Sequence, residues 1–288
     1  MQPTPPSLLK SLQYFEPPVI LRSTPNWVLW RYYGEGSDRH KCPYTPKTGR
    51  VAKTNDPATW GTYDEASWWY RRRSKRYCGV GFIFAEGGGL FGVDLDGCVA
   101  DGIIQPWADM IRTRFKTYTE ISPSGTGLKM FGIGDVPPDV KLRKKVNVPP
   151  CTNKTPGIEV YGKLRLFCYT GRAIGAYREL HDCQKQLIAL LKKIQPPEST
   201  IRFKRNNSKE RGKFSVEHAR KWLANHGPAI SGNDGHTHTF RAALALVKGF
   251  SLDEPTALDL LREWNRTCAP PWSERELNRK IQQALKKC

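Results

Sequence analysis

The chain has 288 residues, of which 39% are hydrophobic, so it can form one large core or a main domain with a small one. This content, with its many aromatic residues, argues against wholesale disorder. The formal net charge of +19 favours a polyanionic partner, and the lack of a long apolar run or a signal-peptide pattern favours nucleic acid over a membrane.

Four regions are predicted from changes in composition along the chain. Residues 1–24 are rich in proline and predict a loosely attached N-terminal arm, whereas residues 25–195 mix short β-like runs with turns and a few helical segments. Residues 196–213 begin with two prolines and continue as a polar, basic stretch, which predicts a linker. Apolar residues then recur at helical spacing over residues 214–288, which predicts a small all-α helical bundle.

Four helices are predicted in this last region. The first follows an N-cap at Ser215, and two more cover Phe240–Val247 and Pro255–Trp264. The last begins at Ser273, where Glu276, three residues later, completes the sequence pattern of a capping box.

Two aspartates lie close together at the end of a predicted strand. Segments Gly79–Phe84 and Leu90–Asp96 predict two strands separated by a glycine-rich turn. Because side chains alternate along a strand, Asp94 and Asp96 share one face, with Cα atoms about 6.5–7 Å apart. Aspartate is depleted in strands and like charges repel, so the pair favours a site for Mg²⁺ or Mn²⁺. The alternative is a strand that ends in a turn at Asp96-Gly97.

A third carboxylate, Glu159, lies on another predicted strand, within the alternating segment Pro156–Tyr161. The next two residues, Gly162-Lys163, predict a tight turn into a further strand over Leu164–Thr170, so that the two strands form a candidate hairpin. Glu159 would take part in the same site only if the fold brought it beside Asp94 and Asp96.

A loop rich in small residues lies between these strands. Residues 122–127 read Ser-Pro-Ser-Gly-Thr-Gly, and Lys129 stands in the alternating segment that follows. Small residues leave backbone amides free to face an anion, while the hydroxyls add donors and the lysine adds charge, as in a triphosphate-binding loop. The alternative is an ordinary hairpin turn.

The densest basic run, Arg71–Arg76, follows Trp68, Trp69 and Tyr70. Arginines beside aromatic rings suit single-stranded nucleic acid, because arginine pairs with phosphates and rings stack on bases. The alternative, which we favour for Trp68 and Trp69, is a helix end whose aromatic side chains enter the core. The cluster Lys141–Lys145 and the predicted linker add further positive charge.

The cysteine and histidine patterns do not predict a zinc site. The eight cysteines are scattered without a C-x-x-C pair, which predicts reduced thiols. His236 and His238 follow a glycine-containing turn with no nearby cysteine or carboxylate pattern, so we interpret them as part of the turn that leads into a helix.

Together these segments resemble the primase-polymerase branch of the archaeo-eukaryotic primase superfamily, which is found in phage and plasmid replication proteins. The resemblance covers most of the chain and rests on the order of its segments: Asn26–Trp30, Lys41–Pro46, Thr54–Trp60, Asp94–Asp96, Glu120–Gly127, Glu159–Tyr161 followed by Arg165, Thr170 and Gly171, then Phe240–Leu244 and Pro271–Glu276. It implies an α/β (α+β) catalytic domain with mixed or antiparallel sheets and an RRM-like core, followed by a small helical module.

The resemblance also implies a function, namely a template-directed DNA primase-polymerase, a nucleotidyltransferase, of a phage or mobile-element replication system. Asp94, Asp96 and Glu159 would be the catalytic residues and would hold two Mg²⁺ or Mn²⁺ ions. The nucleotide would be bound by Ser122, Ser124, Gly125, Gly127, Lys129 and Arg165. The expected partners are a single-stranded DNA template and primer, dNTP or NTP substrates, and a helicase in the same chain or a separate one, in the cytoplasm.

Lys129 departs from the family pattern, in which a histidine is usual at this position. A lysine keeps its positive charge at neutral pH, which suits phosphate binding but not a role as a proton donor. Leu166 stands where a relative can present an aromatic ring, so the contact to the base or sugar is left unassigned. Two other functions stay open: a replication initiator or DNA-binding protein with impaired catalysis, which Lys129 favours, and a metal-dependent nuclease, against which the triphosphate-like loop argues.

Overall fold

The computed structural model describes residues 15–35, 40–138, 140–195, 211–232 and 234–286, with side chains from residue 216 onward in the helix that begins at Arg211. The first part of the predicted arm, residues 1–14, and residues 196–210 of the predicted linker lie outside these ranges. The strands are β1 (Trp27–Tyr33), β2 (His40–Tyr44), β3 (Gly79–Phe84), β4 (Leu90–Asp96), β5 (Val99–Ala100), β6 (Ile103–Ile104), β7 (Thr119–Ile121), β8 (Leu128–Ile133), β9 (Arg143–Lys145), β10 (Gly157–Tyr161) and β11 (Arg165–Tyr169). The α-helices are α1 (Val19–Ser23), α2 (Tyr63–Arg72), α3 (Pro106–Phe115), α4 (Gln184–Ile194), α5 (Arg211–His226), α6 (Gly235–Leu244), α7 (Glu254–Asn265) and α8 (Glu274–Lys286).

Two antiparallel sheets form the framework of the molecule. The first has the strand order β11-β3-β1-β2 and the second the order β7-β8-β4-β10-β9. The predicted α+β class and the antiparallel sheets are therefore confirmed, and β3 and β4 have the predicted bounds. An RRM-like core stays a prediction.

The two faces of β4 contact different parts of the protein. Phe91, Val93 and Leu95 point away from the first sheet and share a hydrophobic core with residues of α3 and α4. On the opposite face, a Cβ atom at Gly92 would lie 2.9 Å from the rings of Phe84 and Phe167 in the first sheet. The sheets pack this closely because glycine has no side chain. The face that carries Asp94 and Asp96 therefore faces the gap between the sheets.

The predicted hairpin between β10 and β11 is wrong, because the two strands belong to different sheets. Both edges of β10 are already paired, one with β4 and the other with β9, so β11 pairs with β3 instead. The turn between β3 and β4 also crosses from the first sheet to the second. The two crossings are linked where Lys163 Nζ lies 2.9 Å from Glu86 Oε1.

The helices near the C-terminus lie close to their predicted positions. Helix α5 begins at Arg211, before the expected N-cap Ser215, and α6 continues into a π-helical turn over Ala245–Gly249. The capping box of α8 is confirmed, since Ser273 Oγ lies 2.6 Å from Glu276 Oε2 and accepts a hydrogen bond from the Glu276 amide at 3.4 Å. No helix within the described ranges is long and apolar enough to cross a membrane.

These helices share a hydrophobic core with the first sheet and with α1. Ile20 and Leu21 of α1 are fully buried in a cluster that also contains Phe82 and Trp222. The Trp222 indole donates a hydrogen bond to Thr24 Oγ1 at 2.7 Å. Residues 15–24 are thus packed into the molecule, contrary to the loose attachment expected for the arm. The division into a catalytic domain and a separate helical bundle stays a prediction.

The aromatic residues of α2 do not both enter the core. Trp69 is half-buried against the core, but 49% of Trp68 is exposed, so the expectation that Trp68 is a core residue is wrong. Trp68 follows the buried residues Ala66 and Ser67, and the turn of the helix carries its side chain to the outer face.

Candidate active site

Four charged side chains form a row across adjacent strands of the second sheet. Glu159 on β10 pairs with Asp94 on β4, Asp94 pairs with Lys129 on β8, and Lys129 pairs with Glu120 on β7. Directly paired residues of antiparallel strands share a face, with Cβ atoms about 4.5–5.5 Å apart. The fold therefore brings Glu159 beside Asp94, which the sequence alone did not establish. We call these four residues the charged row.

Lys129 neutralises Asp94 at the centre of this row. Its Nζ lies 2.6 Å from Asp94 Oδ2, and the two side chains are only 4% and 13% exposed. The same amine lies 4.0 Å from the centroid of the Phe167 ring. Burial alone would lower the pKa of Lys129, but the charge of Asp94 and its hydrogen bond raise it overall. The structure thus places Lys129 against a carboxylate, whereas the sequence predicted a phosphate ligand.

The other carboxylate oxygen of Asp94 is buried and has no hydrogen-bond partner among the described residues. A buried acceptor left unpaired costs about 1–3 kcal/mol. Asp96 lies two residues further along the same strand face, and its side chain is 33% exposed. Burial, and next the charge of Asp94, raise the pKa of Asp96. A cation between these two side chains would supply the missing partner and relieve their repulsion.

Glu159 has its oxygens engaged by neighbours. Oε1 forms an ion pair with the exposed guanidinium of Arg143, and Oε2 accepts a hydrogen bond from the Tyr161 hydroxyl at 2.7 Å. Within the described ranges, no group of three or more aspartate, glutamate, histidine or cysteine side chains is arranged to hold a metal ion. The carboxylate oxygens of Asp94 and Asp96 suit a divalent cation. Glu159 could join them only by turning away from Arg143.

The loop of residues 122–127, which we call the serine loop, is adjacent to Asp96. A Cβ atom at Gly127 would lie 2.6 Å from the Leu95 carbonyl oxygen and 3.5 Å from the Asp96 Cα atom, so glycine permits this close approach. The amides of Cys98 and Val99 donate hydrogen bonds to the Thr126 carbonyl, at 2.9 and 3.1 Å. The loop that joins β7 to β8 is therefore attached to the chain that follows β4.

The sequence had suggested amides free to face an anion, but the amides of both loop glycines are bonded within the loop. The Gly125 amide donates to the Ser122 carbonyl at 2.9 Å, and the Gly127 amide donates to Ser122 Oγ at 3.1 Å. These bonds close a turn between two strands, which was the alternative interpretation of the segment. Three hydroxyls form a chain: Ser124 Oγ lies 3.1 Å from Ser122 Oγ and 2.8 Å from Thr126 Oγ1. Ser124 is the exposed residue at the end of the loop.

Two arginines lie near the charged row. Arg165, which the sequence singled out, is exposed at the start of β11, with its guanidinium 5.4 Å from the centroid of the Tyr161 ring. Arg172 was not predicted, although it directly follows the Thr170-Gly171 pair, and its guanidinium donates a hydrogen bond to the Ser122 carbonyl. Its contact with Ser122 forms only because the chain returns to β7 after β11, where the Ile121 amide donates to the Arg172 carbonyl at 3.0 Å.

A cavity of about 670 Å³ opens beside Glu159. Its lining includes Glu159, Tyr161 and three cationic side chains, those of Arg143, Lys163 and Arg165. Glu86 and Asp135 also line the cavity, so its cations and carboxylates are equal in number, and Arg143 and Arg165 are the cations beside Glu159 and Tyr161 that a phosphate could reach.

Several residues that the sequence analysis discussed lie away from the charged row. The His238 ring stacks on the buried His226 ring at 4.0 Å, and His236 packs against Trp272 at 4.5 Å, both from the beginning of α6. Leu166 packs at the opposite face of the first sheet, beside Val28 and Ile83. Every cysteine in the described ranges is a free thiol.

Comparison with known proteins gives one informative similarity. No family model matches the chain. Over 164 residues the chain is 28% identical to a protein of Nitratiruptor phage NrS-1 described as a DNA primase-polymerase. The matched part is 56% of this chain and 21% of the phage protein, so the chain matches about a fifth of that relative. The similarity supports a primase-polymerase relationship.

Proposed function

We propose that the chain is a template-directed DNA primase-polymerase of a phage or mobile-element replication system, with its active site at the end of β4. The observation that carries the proposal is the partnerless buried oxygen of Asp94, which lies next to Asp96 and is paired in register with Glu159. The serine loop packed against Asp96 and the name of the phage relative support the same function.

Asp94 and Asp96 would hold Mg²⁺ or Mn²⁺, because aspartate oxygens are the hard ligands that these ions prefer. Two such ions would supply the charge neutralisation that nucleotidyl transfer requires. In this proposal Lys129 fixes Asp94 through Oδ2 and leaves Oδ1 for a ligand. Glu159 would become the third carboxylate after Arg143 had moved to the phosphates of the substrate.

The incoming triphosphate would lie between the serine loop and the cavity beside Glu159. The hydroxyls of Ser122 and Ser124 would donate to phosphate oxygens, and the turn at Gly125, which has no heavy atom within 4 Å of a built Cβ, leaves room beside them. Arg165 would bind phosphates from the other side, and Lys129 would add positive charge below them. Gly127 would act through its close packing, since its amide is already bonded.

Primer extension tests the carboxylate site. We expect Asp94→Asn and Asp96→Asn each to lower metal-dependent nucleotide incorporation by about 100-fold or more, because changes even to groups that only orient metal ligands cost about 10–100-fold. Binding of primed DNA should stay within about two-fold, since one carboxylate contributes little to a polyanion interface. The measurement is extension of a labelled primer on a single-stranded template.

Asp101→Asn is the matched control for these variants. Asp101 is exposed in the turn between β5 and β6. Its φ is 51°, a left-handed conformation that asparagine also adopts. Its incorporation rate should equal that of the unchanged protein. Unreduced incorporation by both Asp94→Asn and Asp96→Asn would show that the proposed site is wrong.

A second candidate is a DNA-binding replication initiator with impaired catalysis. The specific observation in its favour is that a cation already lies beside each of the three carboxylates: Lys129 on Asp94, Arg143 on Glu159 and, at 3.9 Å, Lys154 on Asp96. This function predicts that the unchanged protein binds DNA but incorporates no nucleotide. A metal-dependent nuclease would instead shorten the labelled primer in the same assay.

A further inference from the structure

We propose that the C-terminal end of α2 is a binding surface for single-stranded nucleic acid, with Trp68 as the ring on which a base stacks. The surface consists of Trp68 and the cations that follow it in sequence, namely Arg71, Arg72, Arg73, Lys75 and Arg76. We call it the Trp68 surface.

Trp68 is held in place although nearly half of it is exposed to solvent. The Arg72 guanidinium lies 4.3 Å from the centroid of the Trp68 ring, and the Trp69 ring meets it edge-on at 5.3 Å. Trp69 is stacked in the same way by Arg73, at 4.8 Å. Both stacks follow from the i, i+4 spacing of a helix. An exposed indole that is already oriented loses little side-chain entropy when a base stacks on it.

The surrounding positive charge is not neutralised by the protein. Residues 71–76 are all exposed, and Arg71 has only a distant carboxylate, Glu16, at 3.8 Å. No carboxylate of the described residues lies within 4.0 Å of Arg72, Arg73, Lys75 or Arg76. The exposed Arg220 and Arg262 show the other arrangement, in which each guanidinium pairs with a glutamate. Arg72 contacts the Trp68 ring, and the three further cations without a carboxylate partner follow it within four residues, which matches the phosphates that flank a stacked base.

The exposed Trp68 ring indicates which kind of polyanion the positive charge of residues 71–76 would bind. A duplex offers its phosphates but keeps its bases stacked inside, and an acidic polypeptide offers carboxylates without flat rings. Only a single strand supplies unpaired bases and phosphates together. We therefore assign the Trp68 surface to a single strand.

The surface is separate from the charged row. Helix α2 packs against β1 and β3 of the first sheet, whereas Asp94 and Glu159 are on β4 and β10 of the second. The inference rests on the proposed function only in naming the bound strand as the template. Binding of a single strand at α2 does not itself require catalysis.

Fluorescence anisotropy with a labelled oligothymidylate of about 20 nucleotides tests the surface without nucleotide or metal. Trp68→Ala should raise the Kd about five-fold or more, because base stacking on one ring is worth that much, and Trp68→Phe should restore part of the loss. The double variant Arg72→Gln/Arg73→Gln should lower the slope of log K against log salt by about 1.4, the value for two lost phosphate contacts on a single strand. A duplex of the same length should not respond to Trp68→Ala.

The double variant Arg275→Gln/Arg279→Gln is the matched control, since both residues are exposed on α8 and their loss changes the net charge equally. It should leave the salt slope unchanged. Equal Kd values for Trp68→Ala and the unchanged protein would overturn the proposal, and so would equal slopes for the two double variants. Competition by polyglutamate as strong as that by the oligonucleotide would point to an acidic protein partner and would also overturn it.

The proposed function and this inference fail separately. A protein whose strand binding depends on Trp68 but which incorporates no nucleotide would support the Trp68 surface and contradict the polymerase. A protein that extends primers but binds the strand equally well with Trp68→Ala would support the polymerase and contradict the Trp68 surface.

Discussion

Lys129 shows how a buried lysine can be held within a site otherwise made of carboxylates. It lies between Asp94 and Glu120 on neighbouring strands and contacts Asp94 directly at 2.6 Å. A buried charge is tolerated only with a partner, and removal of either partner leaves the other uncompensated. The sequence identified Lys129 as unusual for the resembled family, but only the strand register shows that its first partner is a carboxylate of the proposed site.

Glu120 is the residue for which we expect a pH-dependent contribution to stability. It is fully buried and accepts hydrogen bonds from the Thr170 amide at 2.8 Å, the Gly171 amide at 3.0 Å and the Tyr118 hydroxyl at 3.0 Å. Burial raises its pKa to about 7, and the hydrogen bonds only partly oppose this. The folded state therefore binds the Glu120 proton more tightly than the unfolded chain, in which the pKa is about 4.3.

The stability due to protonated Glu120 is fully present below about pH 4.3 and is lost as pH rises through about 7. We expect the free energy of unfolding of the protein, relative to that of Glu120→Gln, to fall by about 3 kcal/mol between roughly pH 4 and 8. Chemical denaturation at a series of pH values measures this difference. The exposed Glu35→Gln is the control, with a difference that varies by less than about 0.5 kcal/mol. A difference for Glu120→Gln that is independent of pH would contradict the assignment.

The α8 capping box gives the clearest prediction about a single element. Ser273 and Glu276 exchange hydrogen bonds, so Ser273→Ala removes the acceptor of one amide and the partner of one carboxylate. We expect it to lower the free energy of unfolding by about 1 kcal/mol. Thermal or urea unfolding measures the change. Ser74→Ala, at an exposed position outside any helix, should change it by less than about 0.5 kcal/mol, and an equal effect of both substitutions would count against the cap.

Individual strands were predicted from the sequence more successfully than their pairing. The alternation of Phe91, Val93 and Leu95 with Gly92, Asp94 and Asp96 identified β4 and its two faces correctly. The turn after Tyr161 indicated a hairpin, but local signals carry no information about strands that are distant in sequence. Here β4 and β9 already occupy both edges of β10, and this non-local pairing decides where β11 goes.

The same limit explains what was missed at the candidate site. Same-face placement of Asp94 and Asp96 follows from a period of two, so it could be predicted. The approach of Glu159 depends on the pairing of β10 with β4. The contact of Arg172 with Ser122 depends on a chain segment that returns to β7 after β11, as the bond from the Ile121 amide to the Arg172 carbonyl shows. Neither contact has a local sequence signal.

At the scale of the whole molecule, the C-terminal helices are attached to the rest by polar as well as apolar contacts. His218 and Lys221 of α5 both lie 3.0 Å from Asp135 Oδ2, in the segment that follows β8. The neighbouring turn is also in contact, since a Cβ atom at Gly89 would lie 3.0 Å from the His218 ring. A change in these helices can therefore affect the wall of the cavity beside Glu159.

The net charge of +19 suits a protein with two proposed binding regions, each of which would bind a different part of the substrate. The Trp68 surface would hold a single strand through stacking and phosphate contacts. The second sheet would hold the nucleotide and its metal ions at Asp94 and Asp96. In this proposal the Trp68 surface would serve incorporation directed by a template, and only the second region would take part in the transfer itself.

The most direct test of this function compares two products of one reaction. With a primed single-stranded template, dNTPs and Mg²⁺ or Mn²⁺, we expect pyrophosphate and incorporated nucleotide to appear in equal amounts, because each transfer releases one pyrophosphate. Both should disappear together in Asp94→Asn while DNA binding persists. Pyrophosphate without incorporation, shortening of the primer, or equal yields from Asp94→Asn and the unchanged protein would contradict a nucleotidyl-transfer site at Asp94.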